Sequence, residues 1–441
     1  MGGRMLTTKT RVTEPRFHDP IEGMARRELE ALQQRRLLEQ VAYVHERSPL
    51  VRDTWAKAGI AASDIRSTAD FKRLVPFIDK DTLRHYRDTH DDATGGVLCV
   101  DPSELTLIGT SSGTTGDPTV FGERWTDPGD WIWTPREMWE LGLRPGDYVA
   151  DIDAVLRSVG HLCFRDAGAI PIFFNHDASD LPRFVEWSLK YRPTFMFLLS
   201  SVLIYGLARL EAERGIDMRD VFSSYRCLAY GGEPMGRQAR ELMERWQAPV
   251  YQFSSLGDCG TGWECRARDG FHAWEDLVLF EVVNPLTGEP TPDGERGEMV
   301  ITSLVDRTDP LIRFRSGDLV RWTAAPCSCG RTHARYWPLG RVSDETIVAG
   351  KSVMPRDIWS AIEETPATAA GMFQIIRAER ETDSLRLRVG YDGAPDLAAL
   401  ADTVARAVEG ATGVRPEIQL VPTSEIVKLG PPHKIPRTAK N

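Results

Sequence analysis

Between Ile21 and Arg47 the apolar residues Met24, Leu29, Leu32, Leu37, Leu38, Val41 and Val44 recur at mixed three- and four-residue steps. That is the period of an amphipathic helix with one face turned to a core. Ser48-Pro49 closes it. From about Thr106 to Ala325 the pattern changes to short apolar runs, among them LTLIG, DYVADI, AIPIFF, TFMFLL, YRCLAYGG, PVYQF and EMVIT, separated by helical or turn-rich stretches. Strands alternating with helices predict an α/β layered fold. A turn-rich patch around Cys327, Cys329 and Gly330 leads into YWPLGRVSD, and the composition then shifts again. Beyond it come a strand-like TIVAG, a helix predicted near Pro355–Glu364, a strand RLRVGYDG, a helix DLAALADTVARAVEGATG closed by Gly413, and a strand EIQLVP. The natural cut lies near Arg341. It gives a large N-terminal layered α/β domain over 1–341 and a small α+β domain over 342–441, which ends in the basic tail HKIPRTAKN. No internal repeat or low-complexity segment interrupts the chain.

Length and charge narrow the function. At 441 residues the chain is two to three times the usual domain size, so more than one unit is expected. A formal net charge of -10 argues against nucleic acid or an anionic membrane as partner, because such surfaces demand clustered Lys and Arg. The N-terminal stretch has no apolar core of signal-peptide length, and no run approaches the roughly 18 apolar residues of a spanning helix, so a cytoplasmic protein is expected. Seven cysteines, an odd number, do not read as a disulfide framework in a chain of this length. Their spacing matters more than their count.

Two constellations carry chemistry. The first is Thr110-Ser111-Ser112-Gly113-Thr114-Thr115-Gly116-Asp117-Pro118-Thr119, directly after LTLIG. Two glycines let the backbone approach a ligand closely, and six hydroxyl side chains with free N–H groups can cradle a polyphosphate. It is not a Walker loop, since GxxxxGK[ST] is absent. The alternative is a Ser/Thr/Gly-rich surface loop. The second pairs Cys265 and His272 with the later Cys327-Ser328-Cys329. Three thiolates and one imidazole make a closed tetrahedral set, the arrangement of a structural zinc site with no open position for chemistry. His333 competes for the fourth place, and a buried thiol with a satisfied histidine is the alternative for the first two. Cys99, Cys163 and Cys227 lie in apolar runs and read as core.

At this point the sequence resembles the adenylate-forming superfamily, and within it the phenylacetate–CoA ligase-like branch, whose phosphate loop reads SSGTTGKPT. The likeness covers nearly the whole chain: IEGMARRELEALQQRRL, the loop just quoted, YGGEP, the stretch from Tyr251 to Cys265, RFRSGDL, CSCGRTH, LGR and the final HKIPR. It implies a large domain holding acid and nucleotide and a small mobile domain that rotates between an adenylating and a thioester-forming pose. The implied reaction is ATP-dependent activation of a small, aromatic carboxylic acid as acyl-AMP, then transfer to CoA or an acyl carrier protein. An amine acceptor is an alternative. The resemblance also implies Mg²⁺ with the ATP, and allows for a homodimer.

Residue by residue, the resemblance puts Ser111, Ser112, Gly113, Thr114, Thr115 and Gly116 around the ATP phosphates and Tyr251 against adenine. Gly231, Gly232, Glu233 and Pro234 would line the adenine and acid pocket, with Ser254 and Ser255 beside the nucleotide. Asp318 matches the carboxylate that accepts both ribose hydroxyls, Arg341 the arginine at the start of the domain linker, and Lys434 the catalytic lysine that bridges carboxylate and α-phosphate. Lys434 read without the family is a lysine in a solvated tail. Candidates for the acid pocket are Trp131, Tyr205, Gly231, Phe253, Gly257 and Cys259, with Trp133 and Trp139 as further aromatic candidates. Asp117 departs from the family's loop lysine, and Ser255 from the glutamate that holds Mg²⁺. Asp258 or Glu264 could stand in for that glutamate through water. Two readings outside this activity remain: a degenerate adenylate-binding protein without turnover, and a zinc-stabilised interaction module.

Overall fold

The computed structural model describes residues 17–110, 117–124, 136–152, 164–165, 167–175, 178–256, 258–429 and 436–440. The predicted N-terminal helix runs Arg26–Arg47, preceded by a 3₁₀ turn, and Ser48 both ends it and caps the next helix, Pro49–Lys57. One eleven-stranded sheet organises the large part of the chain. Five of its strands, Tyr148–Asp151, Ile170–Phe173, Phe195–Leu199, Cys227–Tyr230 and Val250–Ser255, run parallel to their neighbours. Of these, Phe195–Leu199 and Cys227–Tyr230 read as near-continuous apolar runs because the sheet covers them on both sides, while the edge strand Ile170–Phe173 leaves Ile170 and Phe173 exposed. Ala150, Met196, Leu228 and Val250 enter one core and Val149, Phe195, Cys227 and Ala229 the other, alternating as the pleat requires.

The alternation with helices stops at Val250–Ser255. From there the sheet continues antiparallel through Thr261–Glu264, Phe271–His272, Arg335–Arg341, Phe314–Thr323, Arg296–Ser303 and Val278–Val283. The sequence reading did not foresee this half, since EMVIT alone carries no sign of whether its partner is parallel. The N-terminal helices pack on its far end through Leu37, Val41, Trp55, Phe71, Leu279 and Ile312. A separate hairpin pairs Leu107–Thr110 with Val120–Glu123.

Beyond Arg341 the chain builds two further sheets, one of Thr346–Val348, Lys351–Val353 and Glu381–Thr382, the other of Pro416–Pro422, Leu385–Tyr391, Phe373–Ile376 and Thr438–Ala439. Helices Pro355–Glu363 and Leu397–Thr412 cover them over a core of Ile358, Ile362, Phe373, Leu387, Val404 and Val408. Gly413, at φ 69°, ends the second helix as expected. Among the described residues no helix is long and apolar enough to cross a membrane.

Candidate active site and candidate metal centre

In open parallel sheets the carboxyl ends of the strands form the ligand crevice, because the loops that leave them diverge there. In this sheet those ends carry Leu199, Tyr230 and Ser255, followed by Gly231 and Asp258. Cys227–Tyr230 delivers Gly231 directly under the Phe253 ring: a Cβ on Gly231 would lie 2.5 Å from Phe253 Cζ. Phe253 stacks in turn on Trp263 at 4.8 Å and Phe197 at 5.3 Å between centroids. Side chains 251, 253 and 255 share one face of their strand, so Tyr251 and Ser255 flank this aromatic stack.

The antiparallel half brings Asp318 to the same place. Asp318 and Arg341 are cross-strand partners, and Arg341 Nε lies 3.2 Å from Asp318 Oδ1. Gly317, at φ 75°, sits where the register of Arg296–Ser303 against Phe314–Thr323 shifts, and the resulting bulge re-aims the next side chain. The buried Glu298 accepts the Gly317 N–H at 3.2 Å and Ser316 Oγ accepts that of Asp318 at 3.0 Å, so the backbone that carries the carboxylate is held from behind. Glu298 was not singled out in sequence; a lone acid inside the apolar run RGEMVIT is the signal that could have found it. Asp318 first, and then Asp258 and Asp344, hold the Arg341 guanidinium firmly charged. Asp258, itself at φ 64°, pairs with Lys80 at 2.9 Å and donates its N–H to Ser255 Oγ at 3.3 Å. Glu264 is turned elsewhere: it accepts the Gln252 N–H at 2.8 Å, on the strand face opposite Ser255.

Thr110 pairs with Val120, so the hairpin brings together the two ends of the Ser/Thr/Gly loop. Residues Ser111, Ser112, Gly113, Thr114, Thr115 and Gly116 themselves lie outside the described residues, as do Trp131, Trp133, Gly257, Cys163 and Lys434. At the loop's exit Asp117 receives Arg87 bidentately at 2.8 and 3.1 Å, and its backbone carbonyl receives Arg84 at 2.7 Å. Arg87 holds the Asp117 carboxyl below its ordinary range. The position that carries a lysine in the family's motif is therefore an anion pinned to a neighbouring helix.

Three further expected site residues make the following contacts. Tyr205 packs against Ala370, Met372 and Ile426, beyond Arg341 in the chain. Cys259 is buried in the core of the antiparallel half. Glu233 accepts from Arg437 at 3.0 Å. Trp139 lies under the Arg144 guanidinium, 3.9 Å from its ring centroid. Proximity in sequence to a glycine pair or a family motif does not fix which way a side chain points.

Cys265, His272, Cys327 and Cys329 converge as their spacing suggested. All four are buried, and their ligand atoms lie within 4.8 Å of one another. Cys265 and Cys327 sulfurs are 3.7 Å apart, and Cys329 Sγ is 3.4 Å from His272 Nε2. Four ligands around zinc at about 2.3 Å would stand about 3.8 Å apart in a tetrahedron, so this donor set fits that ion. His272 Nδ1 lies 3.3 Å from the His333 carbonyl, which leaves Nε2 as the ligand nitrogen. His333 is not the fourth ligand: its Nδ1 accepts from Glu275 N at 3.0 Å and its Nε2 faces the Ile21 carbonyl at 3.2 Å. Cys265 first, and then His272, hold the Cys329 thiol well below the ordinary cysteine range.

No protein-family model matches this chain. A phenylacetate-coenzyme A ligase of Thermus thermophilus is 30% identical over 440 residues, spanning 93% of this chain and 96% of that one. One of Escherichia coli is 28% identical over 381 residues, with 84% of each chain covered. Among solved structures, 2-hydroxyisobutyryl-CoA ligase in its postadenylation state aligns with 98% of this chain and 94% of its own at 27% identity, with a TM-score of 0.83. The same ligase in its thioesterification state, with an AMP adduct and CoA bound, aligns over the same shares with a TM-score of 0.68. Identity at this level along nearly the full length, together with the fold these structures share, shows that the chain belongs to the phenylacetate–CoA ligase-like branch of the adenylate-forming enzymes and is an AMP-forming ligase.

Proposed function

We propose that this ligase activates a small aromatic carboxylic acid with ATP as the acyl-adenylate and then transfers the acyl group to the thiol of CoA. The observation that carries this reading is the Asp318–Arg341 pair, set by a bulge in the antiparallel half of the sheet, with Asp258, which donates to Ser255, adding to the charge around Arg341. A carboxylate whose backbone is held from behind by Glu298 and Ser316 is suited to accept two ribose hydroxyls, and Arg341 offers a cation beside the phosphates. Tyr251 would lie against adenine, and Ser111 to Gly116 would wrap the phosphates through their N–H groups. Lys434 would neutralise charge as a carboxylate oxygen of the acid attacks the α-phosphorus and pyrophosphate leaves. Mg²⁺ would be held through Asp258, close to Ser255, with phosphate oxygens and waters completing its shell. The residues after Arg341 would form a separate mobile domain serving both half-reactions. A need for ATP and CoA supports a cytoplasmic enzyme.

The Phe253–Trp263–Phe197 stack supplies a flat apolar wall, which supports an aryl acid such as phenylacetate, benzoate or an aminobenzoate. A second reading is favoured by the Phe253 ring resting on Gly231, which narrows the same space: a small branched hydroxy acid, the substrate class named for the 2-hydroxyisobutyryl-CoA ligase. ATP–pyrophosphate exchange over a panel of both classes tests the proposal. Exchange with an aryl acid supports the first reading, exchange only with a hydroxy acid the second, and ATP binding without exchange on any acid would mark a degenerate homologue.

Zinc is proposed at Cys265, His272, Cys327 and Cys329, where it would tie the Thr261–Glu264 end of the sheet to the Cys327–Cys329 turn. All four positions around the ion would be taken by protein, so its part is folding and not chemistry.

A further inference from the structure

Two charged contacts cross from the residues after Arg341 to one short strip, 233–237, directly after the glycines Gly231 and Gly232. Arg437 donates from Nη2 to Glu233 Oε2 at 3.0 Å, with both side chains nearly buried. The same guanidinium lies 3.7 Å from the Trp359 ring centroid and 4.9 Å from that of Phe373, and donates from Nη1 to the Gly371 carbonyl at 2.8 Å. Arg437 is thus fixed by its own surroundings and offers its free edge to Glu233.

Glu363 works in the opposite sense. Both of its carboxylate oxygens accept the backbone N–H of Arg237, at 2.9 and 2.8 Å, while Trp359 Nε1 donates to Oε1 at 3.0 Å. Arg237 opens the helix Arg237–Arg245, whose own N-cap residue is Gly236, without a side chain to cap it. The missing cap therefore arrives from another part of the chain, where a carboxylate also meets the positive end of the helix. Glycines let the surfaces close: a Cβ on Gly236 would lie 2.2 Å from Glu363 Oε1, and one on Gly371 2.5 Å from Trp359 Nε1.

We propose that Arg437 and Glu363 are positioning residues for adenylation, forming a two-point latch on Glu233–Arg237 that holds the adenylating pose and opens before the thioester forms. This rests on the activity proposed above. One contact sends a cation outward and the other an anion, so the pair fixes orientation as well as distance. Arg437 stands three positions after Lys434, about 10 Å of chain at most, so pinning Arg437 limits where that lysine can reach. A paired charge also suits a contact that must reopen, because the desolvation cost of burying it offsets much of the attraction. The chain matches the postadenylation form of 2-hydroxyisobutyryl-CoA ligase better than its thioesterification form.

The test compares the two half-reactions in Arg437→Met, Glu363→Gln and Gly236→Ala, with the acid the wild type uses best and its synthetic acyl-adenylate plus CoA. Each variant should lower pyrophosphate exchange by about tenfold or more and keep thioester formation from the supplied adenylate within about twofold. Arg437→Lys should recover part of the exchange. Equal loss in both half-reactions, or loss in neither, overturns the latch. Should the wild type show no exchange with any acid, the proposed activity fails while the latch is still decided by hydrogen exchange of the amides from Arg237 to Arg240. Arg437→Met, which does not touch those amides, should then speed their exchange by about tenfold or more, and unchanged protection sinks the latch.

Discussion

Around Cys329 every charged or metal-seeking group is closed in. Arg331, 1% exposed, donates from Nε and Nη2 to Glu22 and from Nη1 to Glu140, and its backbone N–H meets the Cys329 sulfur. Around Asp318 the same residue types meet water: the Asp318 and Arg341 side chains are 22% and 38% exposed and face each other through one 3.2 Å contact. Apart from Glu137, the first cluster meets its charged groups with protein partners, so what it contributes is stability. The second leaves donors and acceptors free to take a ligand, and its strength as an ion pair is correspondingly small. Burial, more than residue type, separates a scaffold from a site here.

Removing the metal should give the largest effect. Cys329→Ser, or a strong chelator, is expected to strip the ion and cost several kcal/mol of stability, given that structural zinc contributes about 10–16 kcal/mol of apparent binding energy in small peptides. Metal analysis beside thermal unfolding reads both. Protein that loses zinc and keeps its melting temperature would show that the four ligands hold nothing of consequence.

Next comes Arg331→Ala, which strands Glu22 and Glu140 without their common partner and should cost about 3–5 kcal/mol in urea unfolding. Arg341→Ala is the contrast in the open cluster. It should change stability by less than about 1 kcal/mol and instead lower pyrophosphate exchange. Equal destabilisation by the two substitutions would erase the distinction between the clusters.

In the adenylation proposed above, Lys434→Ala should lower exchange by about 10²-fold and leave thioester formation from supplied adenylate nearly intact. Asp318→Ala should weaken nucleotide-dependent steps in both directions, because the ribose is held throughout. Exchange unchanged in Lys434→Ala would return that lysine to an ordinary solvated tail.

What the sequence disclosed follows from how local each signal is. Apolar runs such as TFMFLL and helices such as Leu397–Thr412 were legible because period and punctuation are written in consecutive residues. The four metal-cluster residues were legible because the Cys327–Cys329 pair is tight and His272 stands close to Cys265. Between His272 and His333 the spacing could not choose; the hydrogen bonds of His333 to Glu275 and Ile21 did. Hidden from the sequence were features made by distant segments: the antiparallel half of the sheet, the Glu298 support behind Asp318, and the capture of Glu233 by Arg437, 204 residues away. A motif such as YGGEP marks where a chain passes the site. It does not say which of its side chains face it.

Glu137 offers the smallest effect and tests the closed cluster where it is not fully satisfied. It lies on the short helix Arg136–Glu140, 4% exposed, and its Oε2 finds no partner among the described residues. Burial, only partly offset by its own backbone N–H and by Arg136, pushes its carboxyl up to about 8. Below the ordinary glutamate range, near pH 4, folded and unfolded chains are both protonated and the residue contributes nothing. Between there and pH 8 the folded chain keeps a proton that the unfolded chain has lost, so stability falls as pH rises, and above pH 8 the cost is complete. Glu137→Gln removes this titration and keeps the shape. The variant should match the wild type in urea unfolding at pH 5 and exceed it by about 2 kcal/mol or more at pH 8.5, a fraction of the shift allowing for relaxation around the charge. Protonation of the cysteine and histidine cluster at low pH is common to both proteins and cancels in the difference. A difference that stays flat across this range would mean that the Glu137 carboxylate is compensated in solution, and that the closed cluster is satisfied throughout.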